Sequence, residues 1–402
     1  MKKKNQWVRF RHRISTGIVR PFFSLIARFK YHARVDRFAG QGDRNWLILS
    51  NHQTGFDQFF VGLAFRRQVY YVATEDLFSK GWISRVISWL VAPVPFLKAS
   101  TDIRAVMNCM RIAKEGGTIA LFPEGNRTYS GKTCYIKPSV AALAQKLGLP
   151  IAIFRIEGGY GVSPRWSDHT RKGSMRAGVR RVIEPEEYRA MSKDELYALI
   201  CSELDVDDST SGGEYTSDTL AEGLERVIYV CPDCGLSSFA TRGDVISCQK
   251  CGKRYRYLPD KHLRALDGET KYHTAAEWYA DQEAHIRAMD LTACTAEPLY
   301  RDTVELSEVI IYDRKRCLQK SVEVRLYGDR LEFGDGTLTL GYDAVKAMGC
   351  IVTHKLNIFY EDKIYQLKGD RSFNALKYCN LYYHAKFEKE GHADGEFQFL
   401  GL

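Results

Sequence analysis

Apolar and polar residues follow two rhythms along this chain, and the change comes near residue 205. Before it, short apolar runs at 46–50, 69–73, 94–97, 118–122 and 151–156 have the length and composition of buried strands. Between them lie stretches of helical spacing. Residues 57–66 read as helix, and 102–115 sets Ile103, Val106, Met107 and Met110 on one face with Gly116 as the stop. Pro138 opens a further helix that Gly148 closes, and Ser192 with Glu195 forms a capping box for another. This alternation predicts an α/β domain with a largely parallel sheet over 36–205.

Beyond residue 205 the pattern shifts. Residues 206–225 are acidic and rich in Ser, Thr and Gly, the composition of a linker. Two cysteine pairs follow within 226–258, then a connector (259–300) with a helix around 275–289. From about Val304, apolar residues alternate between hairpin signals at Gly328-Asp329, Asp335-Gly336 and Glu361-Asp362. A helix over 373–386 follows. The region 301–402 therefore reads as mostly antiparallel β with a terminal helix.

Residues 1–35 mix apolar side chains such as Ile14, Ile18, Phe22 and Leu25 with cations. They read as one or two amphipathic helices with Pro21 as the break. Residues 1–37 hold eleven basic side chains against one acid, Asp36; the rest of the chain is close to neutral, although the whole carries +9. A basic amphipathic segment can lie in a bilayer interface and meet anionic headgroups, or dock on the protein's own core. A near-neutral body argues against nucleic acid as the main partner.

No apolar run reaches the ~18–20 residues that a spanning helix needs. The N-terminus lacks the pattern of a signal peptide. These features predict a peripheral protein on the cytoplasmic face of a membrane. Four of the eleven cysteines are paired in knuckles and seven are scattered, which suits a reducing compartment with a metal site.

Two motifs carry chemistry. Asn51-His52-Gln53-Thr54-Gly55-Phe56-Asp57 follows one predicted strand and starts a helix. Ligands gather at the carboxyl ends of strands in such sheets, and a turn there can set Asp57 on one imidazole nitrogen of His52 and leave the other as a base. Spacing alone is weak evidence, since His262/Asp267 and His285/Asp290 repeat it. The second motif, Phe122-Pro123-Glu124-Gly125-Asn126-Arg127, also follows a strand and continues to Lys132; its Gly and cations suit a phosphate monoester.

In this order the two motifs resemble the glycerolipid acyltransferase family, best known from the 1-acyl-glycerol-3-phosphate acyltransferases. Phe96-Leu97-Lys98 and Leu149-Pro150-Ile151-Ala152-Ile153 fit two further blocks, so the resemblance spans about 20–205. It implies that His52 is the general base and that Asp57 orients it. Arg127 with Lys98 would hold the acceptor phosphate, and Glu124 and Gly125 would shape or line that loop. The donor would be a fatty acyl thioester, acyl-CoA or acyl carrier protein, and the product phosphatidic acid. Asn126 stands where the family most often has Thr, and Lys98 where Arg is common. Both departures bear on the acceptor headgroup. Gly158-Gly159-Tyr160-Gly161, Arg165 and Trp166 receive no role from the resemblance. The chain has no Gly-x-Ser-x-Gly elbow, and none is needed without an acyl-enzyme.

Cys231, Cys234, Cys248 and Cys251 resemble a zinc ribbon, which implies structural Zn²⁺ on four thiolates. Region 301–402 resembles a pleckstrin-homology-like domain in pattern alone, and could dock a protein or lipid. Two alternatives stay open: an acyltransferase for another lysolipid or a glycolipid, and a non-catalytic membrane adaptor working through its C-terminal modules.

Overall fold

The computed structural model describes residues 7–78, 81–96, 103–310 and 315–390. Lys98 lies outside the described residues, so its expected role has no geometry. The first half forms a seven-stranded sheet. Its strands are β1 (Ala33–Val35), β2 (Leu47–Ser50), β3 (Val69–Thr74), β4 (Val94–Phe96), β5 (Thr118–Leu121), β6 (Ile151–Glu157) and β7 (Met175–Ile183). The order is β1-β7-β6-β2-β5-β3-β4, and only the β6–β7 pairing is antiparallel. Strands β2, β3, β5 and β6 run the same way, so their carboxyl ends share one edge. The centre of the sheet is mostly apolar and buried on both faces, as parallel strands covered by helices must be.

Helices α1 (Phe10–Phe29), α2 (Asp57–Ala64), α3 (Trp82–Val91), α4 (Ile103–Lys114), α5 (Ser139–Leu147), α6 (Gly159–Val162), α7 (Pro185–Arg189) and α8 (Lys193–Leu204) accompany these strands. The expected break at Pro21 does not occur: α1 runs through it. The carbonyl that Pro21 leaves unbonded belongs to Gly17, whose flank is open space. One face of α1 docks on the domain. His12 is buried with Nδ1 3.2 Å from the Tyr70 hydroxyl, and Arg20 donates to the carbonyls of Gly62, Phe65 and Arg66 at the end of α2. Another face stays bare: Phe10, Ile14, Ile18, Phe22, Leu25 and Phe29 are exposed at helical spacing, beside Trp82, Val86 and Trp89 of α3. Among the described residues no helix is long and apolar enough to cross a membrane.

Residues 206–225 are not a loose linker. Asp208, Ser209, Tyr215, Leu220 and Ala221 are buried, and Thr216 exchanges backbone hydrogen bonds with Lys172. The polar composition that suggested a tether serves turns packed against Tyr160, Trp166 and the knuckle region.

The ribbon holds β8 (Val230–Cys231), β9 (Gly235–Leu236), β10 (Phe239–Arg242), β11 (Val245–Cys248), β12 (Arg254–Tyr257) and β13 (Leu263–Ala265), and α9 (Ala275–Arg287) covers it through Trp278. A second seven-stranded sheet follows, built from β14 (Tyr300–Val309), β15 (Lys315–Leu326), β16 (Arg330–Phe333), β17 (Leu338–Gly341), β18 (Val345–Ile351), β19 (Lys355–Tyr360) and β20 (Lys363–Lys368), with α10 (Ala375–Glu390) packed on β18. It is wholly antiparallel in the order β17-β16-β15-β14-β20-β19-β18: two meanders joined through β14–β20, with a helix after them. All three hairpin signals fall at strand-to-strand turns. One apolar core runs from Tyr160 and Trp166 through the ribbon into this second sheet.

Candidate functional site

The two chemistry-bearing loops leave β2 and β5, adjacent parallel strands, at the same edge of the sheet. They are bonded to each other. The Thr128 amide donates to the His52 carbonyl at 3.0 Å, and the His52 amide donates to Glu124 Oε1 at 2.6 Å. Glu124 Oε2 accepts from the Cys134 amide at 2.7 Å. Glu124 is therefore a staple between the loops. Its burial raises the carboxyl pKa to about 8, and the two backbone donors oppose that rise.

Asp57 is completely buried at the first turn of α2, where the helix dipole favours an anion. It accepts the Gln53 amide at 2.7 Å, the Thr54 amide at 2.9 and 3.0 Å, and the Thr54 hydroxyl at 2.5 Å. His52 Nδ1 lies 2.8 Å from Asp57 Oδ2. Its ring stacks on Phe122 at 4.4 Å between centroids. Burial lowers the His52 pKa; Asp57 opposes this, while Arg127 and Arg165 reinforce it. The lowered pKa favours the neutral imidazole, and the Asp57 carboxylate favours the tautomer with its proton on Nδ1. Among the described residues the ring's one hydrogen bond is that of Nδ1, which leaves Nε2 available. Neither of the other equally spaced pairs meets: His262 pairs with Asp260, and Asp267 with Arg254.

Arg127 reaches across from the second loop. A Cβ at Gly55 would sit 3.6 Å from Arg127 Nη1, so the guanidinium lies beside the His52–Asp57 turn. It has no hydrogen-bond or ion-pair partner among the described residues. Its pKa falls to about 10, first through burial and then through Arg165. Gly125 turns the loop with φ +68°.

Sequence reasoning missed several supports. Asn51 pairs its side-chain amide with both backbone groups of Ile156, at 2.8 Å each, which pins the His52 loop to β6. Gln53 Oε1 accepts the Tyr160 amide, and a Cβ at Gly159 would meet that oxygen at 2.6 Å. The glycines of 158–161 thus let this turn press on the His52 loop and on Tyr215. A glycine-rich turn just after a buried strand was the available signal.

The four knuckle cysteines converge, with all Sγ atoms within 4.8 Å of one another. The Cys231–Cys251 and Cys234–Cys248 separations are 3.5 and 3.6 Å. A tetrahedral ion with Zn–S near 2.3 Å sets its sulfurs ~3.8 Å apart, so the set fits zinc. Four thiolates fill the tetrahedron and leave no position for catalysis. The Ser237 hydroxyl lies 3.1 Å from Cys248 Sγ, an outer support that such sites use.

Residues 28–156 match the profile of a family described as Acyltransferase, and 224–258 match one described as DNA directed RNA polymerase, 7 kDa subunit. A chloroplastic 1-acyl-sn-glycerol-3-phosphate acyltransferase of Brassica napus is 25% identical over 146 residues, which is 35% of this chain and 40% of that protein. This chain thus spans about two fifths of the length of that relative. Subunit 12 of RNA polymerases II, IV and V of Arabidopsis thaliana is 48% identical over 42 residues, 10% of this chain and 78% of that subunit. The crystal structure of the 1-acyl-sn-glycerophosphate acyltransferase PlsC from Thermotoga maritima aligns with 22% identity and a TM-score of 0.41, over 48% of this chain and 80% of that one. Residues 28–156 thus match the acyltransferase family and are similar there to 1-acyl-sn-glycerol-3-phosphate acyltransferases, and residues 224–258 match a zinc ribbon of the RNA polymerase subunit 12 type.

Proposed function

We propose that this protein is a lysophospholipid O-acyltransferase that works at a membrane surface and converts 1-acyl-glycerol-3-phosphate to phosphatidic acid. The observation that carries the reading is the His52–Asp57 contact at 2.8 Å, beside an unpaired Arg127, at the carboxyl edge of parallel strands. Nε2 of neutral His52 takes the proton of the acceptor hydroxyl as its oxygen attacks the thioester carbonyl. The imidazolium that forms is held by Asp57. The tetrahedral oxyanion collapses, the C–S bond breaks, and the leaving thiolate takes the proton back from His52. The acyl group passes directly from thiol ester to oxygen ester. Arg127 pairs with the acceptor phosphate, and its lack of an internal carboxylate leaves it available.

The bare stripe on α1 with the tryptophans of α3 supports docking on a bilayer, with the cations of the N-terminal segment toward anionic headgroups. On this reading the protein is peripheral, on the cytoplasmic face. The zinc of the ribbon is structural, and the donor is acyl-CoA or acyl carrier protein.

The test is transfer from both labelled donors to a panel of lysolipids in anionic vesicles. His52→Ala is expected to lower kcat by ~10²–10⁴-fold with melting unchanged. Ile18→Asp in the exposed stripe is expected to reduce vesicle binding while leaving turnover on short-chain, detergent-dispersed acceptor intact. Absence of transfer from either donor to any acceptor would sink the enzyme reading.

A further inference from the structure

The reaction above leaves Arg165 unused, yet few cations in the molecule are more constrained. It is 3% exposed. Nη1 donates to the Arg127 carbonyl at 2.9 Å and Nη2 to the Cys350 carbonyl of β18 at 3.1 Å. The guanidinium lies 4.0 Å from the centroid of the Tyr129 ring, and its Nε is buried without a partner. No carboxylate pairs with it among the described residues. A buried cation normally needs a counter-ion; two carbonyls and a ring face compensate only in part.

Arg127 is in the same condition, so two guanidiniums without their own carboxylates meet at the 122–131 loop. Asp57, whose charge reaches Arg127, is already committed to His52. The local balance favours a ligand that brings two negative charges. Arg127 is also held from behind: its carbonyl is fixed by a side chain that is itself fixed to the second sheet. The segment that carries Arg165 continues that anchorage. The Trp166 carbonyl accepts from Arg226, and Asp168 pairs with Arg226 at 2.7 Å and with the Thr353 hydroxyl at 3.2 Å.

We propose that Arg165 is a positioning residue for the acceptor phosphate. It fixes the backbone of Arg127 and supplies a second positive charge that a phosphate monoester dianion neutralises. Through Cys350 it makes the C-terminal β domain a structural part of the acceptor site. This rests on the reading of Arg127 as the phosphate ligand. A plain tie between domains would contribute stability alone, with no preference for one headgroup over another.

The experiment uses the full-length, zinc-loaded protein. Binding of sn-glycerol 3-phosphate, the headgroup without its chain, is measured by calorimetry. KM and kcat are measured for two lysolipids of one chain length, a phosphate monoester and a phosphocholine. Arg165→Met is expected to weaken glycerol 3-phosphate binding and raise KM for the monoester by about tenfold, the scale of one charge-assisted contact, with kcat and the phosphocholine acceptor nearly unchanged. Arg165→Lys keeps the charge and is expected to restore most of the binding. If Arg165→Met does not fold, Arg165→Gln, which can still donate to one carbonyl, replaces it. Equal losses on both acceptors, or unaltered glycerol 3-phosphate binding in a folded variant, would overturn the proposal. Wild-type transfer to other lysolipids without glycerol 3-phosphate binding would overturn it too while leaving the acyltransferase reading standing. No transfer at all would remove that reading itself.

Discussion

The His52–Asp57 turn and the cysteine knuckles solve one problem in opposite ways. Each brings side chains from two short loops to a point. At the turn the protein's own hydrogen bonds do the holding: Asp57 takes two amides and a hydroxyl besides the imidazole, and Glu124 stitches the loops. The arrangement is complete without a ligand, and one ring nitrogen remains available. At the knuckles two pairs of sulfurs sit 3.5 and 3.6 Å apart, and all four lie within 4.8 Å of one another. A zinc ion held by all four thiolates would use every donor. On the proposed function, the open turn is organised by protein hydrogen bonds, whereas four thiolates on one zinc would close their site to any further ligand.

Zinc removal should separate the two most. Structural zinc contributes an apparent ~10–16 kcal/mol in isolated zinc-finger peptides at neutral pH. Chelation, or Cys248→Ser, is expected to expose Trp278, which is buried against Phe239, Tyr255 and Tyr272, and to lower the melting temperature sharply. Intrinsic fluorescence and near-UV dichroism follow this. The low-field Nδ1 proton of His52 should persist in the zinc-free protein at low temperature. Its loss together with the zinc would show that the turn is not self-supporting.

A smaller effect is expected from cutting the staple. Glu124→Ala frees the His52 and Cys134 amides and lets the two loops drift; misplacement of about 1 Å costs ~10²-fold in rate, so kcat/KM should fall up to that far with zinc content unchanged. The carboxyl also leaves a signature in stability. Its folded pKa, about 8, lies above the ordinary 4.5. Between those values the folded state keeps a proton that the unfolded state has released, so stability falls as pH rises across that window. Melting curves of the wild type should show this decline relative to Glu124→Ala, and parallel curves would mean the carboxylate is ionised throughout.

Much of the α/β half was legible because its buried strands are plain apolar runs and its helices carry written stops, such as Gly148 at φ +62°. Strand β7 was not, since MRAGVRRVI interrupts its apolar residues with arginines. Those arginines pair with Asp36, Glu157, Glu187 and Glu203 on neighbouring elements, and all but Glu187 lie beyond a local window. Of the candidate site, His52, Asp57, Glu124 and Arg127 could be proposed from motifs. The roles of Asn51, Gln53 and Arg165 could not, because each acts on backbone groups that only folding brings near: Ile156, Tyr160, and Arg127 with Cys350. The linker reading of 206–225 failed for a related reason. Polar residues that bond to their own turns can be as buried as apolar ones.

The smallest effect, and the one that bears most directly on how the turn is held, is the acid limb of the rate profile. A base must be neutral, so kcat/KM should fall as His52 gains a proton in the free enzyme. Two influences compete for that pKa. Burial lowers it, with help from Arg127 and Arg165, and the Asp57 carboxylate raises it. If burial wins, the limb lies below the ordinary 6.5. Arg127→Met then removes a nearby cation and should move the limb upward, whereas Asp57→Asn removes the opposing anion and should move it downward while also lowering the plateau. Shifts under about one unit are expected for single charges at such a partly solvated edge. A wild-type limb above 6.5 would reverse the order of the two influences. His52 would then be an imidazolium paired with Asp57 at neutral pH, and the turn would be held by an ion pair that must be broken before the base can work.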